Sequence, residues 1–256
     1  VILLADDAGF GDFGFTGNRT VRTPNIDRIA AEGLRMSRFH VCPVCSPTRA
    51  ELLTGRYYPR CGVKGVSLRQ ELLDLDESNL ANHLQKAGYI TGAFGKWHNG
   101  TQWPFHPNAR GFNSFFGYTA GHWGEYLNPE LETDGMLRRE SGYIVDVCTD
   151  KALGFIDQNR DRPFLCYVPF TTPHTPWSVP EKLWEQWKDR PLKQHATLAD
   201  SESPAETRCA LAMIENLDAN VGRILQKLDD LALAQNTIVI FFSDNGPNTH
   251  RWNNGF

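Results

Sequence analysis

Polar residues able to do ionic chemistry recur directly after short apolar runs in this 256-residue chain. Asp6-Asp7 follows Val1–Ala5, Lys96 and His98 follow Tyr89–Phe94, His174 follows Phe164–Phe170, and Asp244-Asn245 follows Thr237–Ser243. Two adjacent carboxylates at the end of a buried strand repel unless one takes a proton or a cation neutralises them. With Asp244 and Asn245 they form an all-oxygen set suited to a hard cation, Ca²⁺ or Mg²⁺. Zn²⁺ would want more His or Cys among its ligands. A second feature is Cys45-Ser46-Pro47-Thr48-Arg49. Pro47 suits the first turn of a helix, which puts Cys45 at the helix N-terminus, where free N–H groups attract anions and lower a thiol pKa. Arg49, one turn on, can return to the same place and bind a tetrahedral oxyanion with several donors. Cys42 and Cys45 also form a C-x-x-C, which can be read as a redox pair or half a zinc site. No second C-x-x-C accompanies it, and the oxygen set opposes thiolate metal chemistry.

Strands and helices must alternate to bring these groups together. Val1–Ala5 reads as a strand buried on both faces. Thr23, an N-cap residue, and Pro24 open a helix that Gly33 ends; a second starts at Ser46-Pro47 and stops near Gly55. Leu80, Leu84 and Ala87 mark a third helix, closed by Gly88, with a strand at Tyr89–Phe94. Gly95 to Gly142, rich in Gly, Trp and Phe, reads as loops and short strands. Val145–Ile156 reads as helix and Phe164–Phe170 as strand. Ser203, Pro204 and Glu206 open a helix whose apolar stripe runs from Ala210 to Leu228. Thr237–Phe242 reads as another fully apolar strand. The pattern predicts an α/β fold, a largely parallel (mixed) central sheet sandwiched by helices. Ligands of such sheets bind at the carboxyl ends of the strands, where all four polar groups fall.

A net charge of -4 carries no broad basic field for nucleic acid, and 41% hydrophobic residues argue against disorder. No apolar run reaches the roughly 18 residues of a membrane helix. Cys148 and Cys166 sit among apolar neighbours and read as core residues. Most aromatic residues between Trp97 and Tyr126 are expected to pack the sheet. Trp103, His122 and Trp123, flanked by polar residues or Gly, are candidates to contact a sugar or aryl ring, as is Trp177.

Cys45-Ser46-Pro47-Thr48-Arg49 through Leu53-Thr54-Gly55-Arg56 resembles the signature of the type I sulfatases. Asp6-Asp7, Gly95-Lys96-Trp97-His98, Pro173-His174-Thr175-Pro176 and Ser243-Asp244-Asn245-Gly246 match that family's other landmarks in order. The resemblance implies an alkaline-phosphatase-like fold and hydrolysis of an aryl or carbohydrate sulfate. It implies that a separate maturation enzyme oxidises Cys45 to Cα-formylglycine, an aldehyde that hydrates to a geminal diol. Asp6, Asp7, Asp244 and Asn245, with the Cys45 diol, would then hold one Ca²⁺, Mg²⁺ being the lesser expectation. Arg49 and Lys96 would face the sulfuryl oxygens, His174 would protonate the leaving oxygen, and His98 would help the second hydroxyl expel sulfate. A phosphomonoester or phosphodiester hydrolase of the same superfamily, or an unmatured sulfate-binding homologue, is the alternative. The resemblance also implies export to a periplasmic, extracellular or lysosomal compartment. Residues 1–256 then read as a single catalytic domain, the N-terminal part of a chain expected to extend at both ends. The family's further sulfate lysine and C-terminal subdomain are expected beyond Phe256. Failing that lysine, Arg251 is the candidate to replace it.

Overall fold

A computed structural model describes residues 1–255, and among them seven strands form one mixed sheet. The strands are β1 (Ile2–Ala5), β2 (Ile90–Lys96), β3 (Ser114–Tyr118), β4 (Glu130–Thr133), β5 (Met136–Arg139), β6 (Phe164–Pro169) and β7 (Ile240–Ser243). Their order is β5-β4-β3-β2-β6-β1-β7. β3, β2, β6, β1 and β7 run parallel, and the β4–β5 hairpin adds an antiparallel edge. The helices are α1 (Pro24–Glu32), α2 (Cys45–Thr54), α3 (Leu80–Lys86), α4 (Ile144–Gln158), α5 (Glu181–Trp187) and α6 (Pro204–Asp230).

Side chains alternate across a strand, so each central strand feeds two cores. Leu3 and Ala5 of β1 and Cys166 and Val168 of β6 meet Ile26 of α1, Ile144 to Ile156 of α4, and Ile214, Leu217 and Val221 of α6. Ile2, Leu4, Leu165 and Tyr167 point the other way, to Leu53 of α2, Ala81 of α3 and Trp97. Phe112, Phe115, Phe116 and Tyr118 are buried here as expected, and so are Cys148 and Cys166; all six cysteines are free thiols.

Two local expectations need correction, and one helix is unexpected. Thr23 occupies the N-cap of α1 but its hydroxyl donates to Asp27 Oδ1; the free amide of Ile26 instead donates to Asp218 of α6, 2.8 Å away. The strand expected over Thr237–Phe242 covers only Ile240–Ser243. β7 is an edge strand shifted toward the C-terminus, with Ile238 79% exposed, because apolarity alone does not separate edge from centre. Residues 181–187 form a helix that no expectation included.

Candidate active site

β2, β6, β1 and β7 are neighbours in the sheet, so their carboxyl ends form one continuous rim. Lys96 is the last residue of β2, Asp6 follows β1, and Asp244 follows β7. The Asp6 amide donates to the Thr172 carbonyl (3.1 Å), joining the end of β1 to the loop that carries His174. α2 begins at Cys45 itself, and Asn99 Nδ2 ties its first turn to the exit of β2 by donating to the Ser46 carbonyl (3.2 Å) and Oγ (3.1 Å).

These elements converge on a buried charged cluster. One ligand atom each from Asp6, Cys45 and Asp244 lie within 4.8 Å of one another. Lys96 Nζ donates to both Asp6 oxygens, at 3.0 and 2.8 Å. Arg49 Nε and Nη2 donate to Asp244 Oδ2 at 3.0 and 2.7 Å, and Nη1 donates to the Lys96 carbonyl at 2.8 Å. Asn245 Nδ2 donates to Asp7 Oδ1 (2.6 Å), and the Asp7 amide donates to Asp244 Oδ1 (3.2 Å). Asn245 Oδ1 is buried without a partner, as expected of an oxygen left free for a cation. Burial and the neighbouring Asp6 carboxylate push Asp244 up to about 6 despite Arg49 and Lys96. The donor set therefore fits a hard divalent ion, which would relieve that repulsion.

Arg49 and Lys96 are not free anion receptors; their donors hold the carboxylates. Burial opposes the Arg49 charge, yet Asp244 and Asp6 outweigh it and hold the guanidinium well above its ordinary value. The Cys45 thiol also departs from expectation. Burial raises its pKa and outweighs the lowering by Lys96 and Arg49, so a helix N-terminus alone does not make it a thiolate.

The two histidines differ. His98 Nε2 lies 2.8 Å from the Val66 carbonyl, which can only accept, so this nitrogen carries the proton. Nδ1 is buried and unpartnered. Burial and Lys96 lower its pKa to about 2, keeping the ring neutral. A Cβ on Gly121 would sit 2.2 Å from Nε2, so only glycine leaves room for this ring position. His174 donates from Nδ1 to the Thr175 carbonyl (2.7 Å) and turns Nε2 toward Asp7 Oδ2, 3.6 Å away. Tyr126, absent from the expected set, puts its hydroxyl within 3.0 to 3.3 Å of the carbonyls of Thr171, His174 and Thr175. No local sequence signal marks Tyr126, Asn99 or Gly121, because Tyr126 and Asn99 act by hydrogen bonds to groups distant in sequence and Gly121 by leaving room for a ring distant in sequence.

The aromatic candidates divide. His122 packs edge-on against His174, with centroids 4.6 Å apart. Trp123 stacks on Tyr118, and both Trp123 and Trp177 pack against the larger core. Trp103 is 69% exposed and lies against His106, which pairs with Glu132. Arg251 is bound to Asp12, so it does not stand in for a sulfate lysine.

The sulfatase family model matches residues 1–255. The chain belongs to the sulfatase family. It is 34% identical to arylsulfatase G of Rattus norvegicus and 32% identical to N-acetylgalactosamine-6-sulfatase of Homo sapiens, over 96% of this chain in both cases. The sulfatase chain spans about half the length of these relatives, 51% and 49%. Among solved structures, Ps i-CgsB in complex with k-i-k-neocarrahexaose aligns with a TM-score of 0.84 at 28% identity, covering 96% of this chain and 58% of that one. No helix among the described residues is long and apolar enough to cross a membrane.

Proposed function

We propose that this protein hydrolyses sulfate esters, with carbohydrate sulfates as the favoured class and aryl sulfates as workable test substrates. The observation that carries this reading is Cys45 at the start of α2, beside Asp6 and Asp244, within Cys45-Ser46-Pro47-Thr48-Arg49. Family membership implies that residue 45 is oxidised to formylglycine, whose hydrated form would supply an oxygen nucleophile. Asp6, Asp7, Asp244 and Asn245 would hold Ca²⁺ together with that side chain, and the ion would offset charge on the sulfuryl oxygens. Lys96 and Arg49 keep Asp6 and Asp244 in place. His98 Nδ1 is suited to accept a hydrogen bond from a hydroxyl at position 45. We assign the proton for the leaving oxygen to His174 Nε2 and the neighbouring surface for the leaving group to His122.

Charge favours sulfate over phosphate. Asp6 and Asp244 pair with Arg49 and Lys96, and Asp7, held by Asn245, leaves one net negative charge among these five side chains. A divalent cation would convert this to one net positive charge, the complement of a sulfate monoester. A phosphate monoester dianion exceeds it while His174 is neutral, and a proton on His174 Nε2 would narrow that difference. The names of the relatives, an N-acetylgalactosamine-6-sulfatase among them, and the oligosaccharide bound to Ps i-CgsB support a sugar as the alcohol. We further propose that residues 1–256 are the catalytic-domain portion of an exported enzyme served by a formylglycine-generating partner.

The test compares matched aryl sulfate and phosphate after co-expression with that partner. Cys45→Ala is expected to lower sulfate turnover by about 10⁴-fold or more, because it removes the nucleophile without opening a core cavity. Mass spectrometry of the residue-45 peptide should show the aldehyde. Activity within tenfold of the parent in Cys45→Ala defeats the formylglycine reading, and faster phosphate hydrolysis favours the alternative.

A further inference from the structure

We infer that Arg251 and Asp12 are positioning residues that aim the Asp7 carboxylate at the cation, an inference that rests on the proposed ion site. Arg251 Nε donates to Asp12 Oδ1 (2.8 Å) and Nη2 donates to Asp12 Oδ2 (2.6 Å), a bidentate pair with both side chains almost fully buried. The same Nη2 donates to the Asp7 carbonyl at 2.9 Å, and Nη1 donates to Thr249 Oγ1 at 2.7 Å. Asp12 Oδ2 also accepts the Gly9 amide at 2.7 Å. One guanidinium thus joins the loop after β1 to the loop after β7, and the Gly11 amide adds a bond to Asn253 Oδ1 (2.7 Å).

Asp7 needs such a hold. Its φ is +61°, a left-handed conformation that residues other than glycine seldom adopt. Its amide is fixed by Asp244 and its carbonyl by Arg251, so both peptide groups flanking the residue are held. In this conformation the Asp7 side chain reaches Asn245 and His174. A buried ion pair adds little net stability over apolar packing. A planar fork that binds a carboxylate and a carbonyl together fixes a geometry, which Lys cannot reproduce.

The experiment is a Ca²⁺ titration by calorimetry of the parent, Arg251→Lys, the double variant Asp12→Asn/Arg251→Gln, and the surface control Arg28→Ala. The double variant removes both charges together and leaves no ion unpaired in the interior. Both Arg251 variants are expected to bind Ca²⁺ about 10–100-fold more weakly, the size typical of residues that support ligands. Hydrogen exchange with chelator present should quicken at the Asp7 and Gly9 amides while β2 stays protected. Parent-like affinity in either Arg251 variant overturns the inference, even if melting temperature falls. Weakening by Arg28→Ala equal to theirs overturns it too, because any lost ion pair would then suffice. Absence of Ca²⁺ binding by the parent defeats the ion site itself, and the inference with it.

Discussion

His98 Nε2 must carry the proton because it faces the Val66 carbonyl, and the resulting bare Nδ1 is buried beside the charged cluster. Burial and Lys96 hold the ring neutral, with a pKa of about 2 against 6.5 in an unfolded chain. Between these values the unfolded state binds the proton and the folded state does not. Stability from this group is therefore full above pH 6.5 and lost as pH falls below it. Each pH unit in that window removes about 1.4 kcal/mol. Asp244, pushed up to about 6, works in the opposite direction between 6 and 3.8, so only a comparison isolates the histidine. With chelator present, urea unfolding at pH 7 and pH 5.5 should show a larger loss for the parent than for His98→Asn, by about 1 kcal/mol. Equal losses would mean that the ring is solvated and can take up a proton.

At the scale of elements, the rim was legible because each polar group directly follows an apolar run, and strand ends in such sheets carry ligands. Asp6, Lys96, His174 and Asp244 fall where that rule puts them. The orientation of Arg49 was not legible, since its Asp244 partner lies 195 positions away. The apolar run Ile238-Val239-Ile240 does not tell a central strand from an edge one, and the edge position of β7 leaves part of that run exposed. The β4–β5 hairpin did leave a signal, Asp134-Gly135 with both φ angles positive, at the turn between its short strands. Glycines inside strands also carry information. Gly95 in β2 has φ +139°, and a Cβ there would lie 2.0 Å from the Pro169 carbonyl of β6. Gly95→Ala should destabilise by at least about 2 kcal/mol through strain and clash, and displace the adjacent Lys96. Gly154→Ala in α4, where a Cβ meets nothing, should stabilise by about 0.5–1 kcal/mol. Urea denaturation of the pair checks this, and a Gly95→Ala loss below about 0.5 kcal/mol would show that β2 and β6 can part.

The whole molecule folds around an unbalanced charge cluster, so its stability should depend on the ion. Buried Asp6 and Asp244 are neutralised in part by Lys96 and Arg49, while Asp7 is held by Asn245 and approached by His174. A ligand that binds only the folded state stabilises it by about 2.7 kcal/mol at one hundred times its Kd. For a chain of this size that is a rise in Tm of about 5–10 °C. Asp7→Asn is the informative variant, because Asp244 also holds Arg49 and its loss would leave a buried guanidinium short of partners. Asn keeps the shape and removes one of three negative charges. It should melt at or slightly above the parent in chelator, since repulsion is relieved, and gain little from Ca²⁺. Melting curves of both proteins, with chelator and with added Ca²⁺, decide the matter. Equal Ca²⁺ stabilisation of parent and Asp7→Asn would place the ion away from Asp7, and the cluster would then be held by its own cations alone.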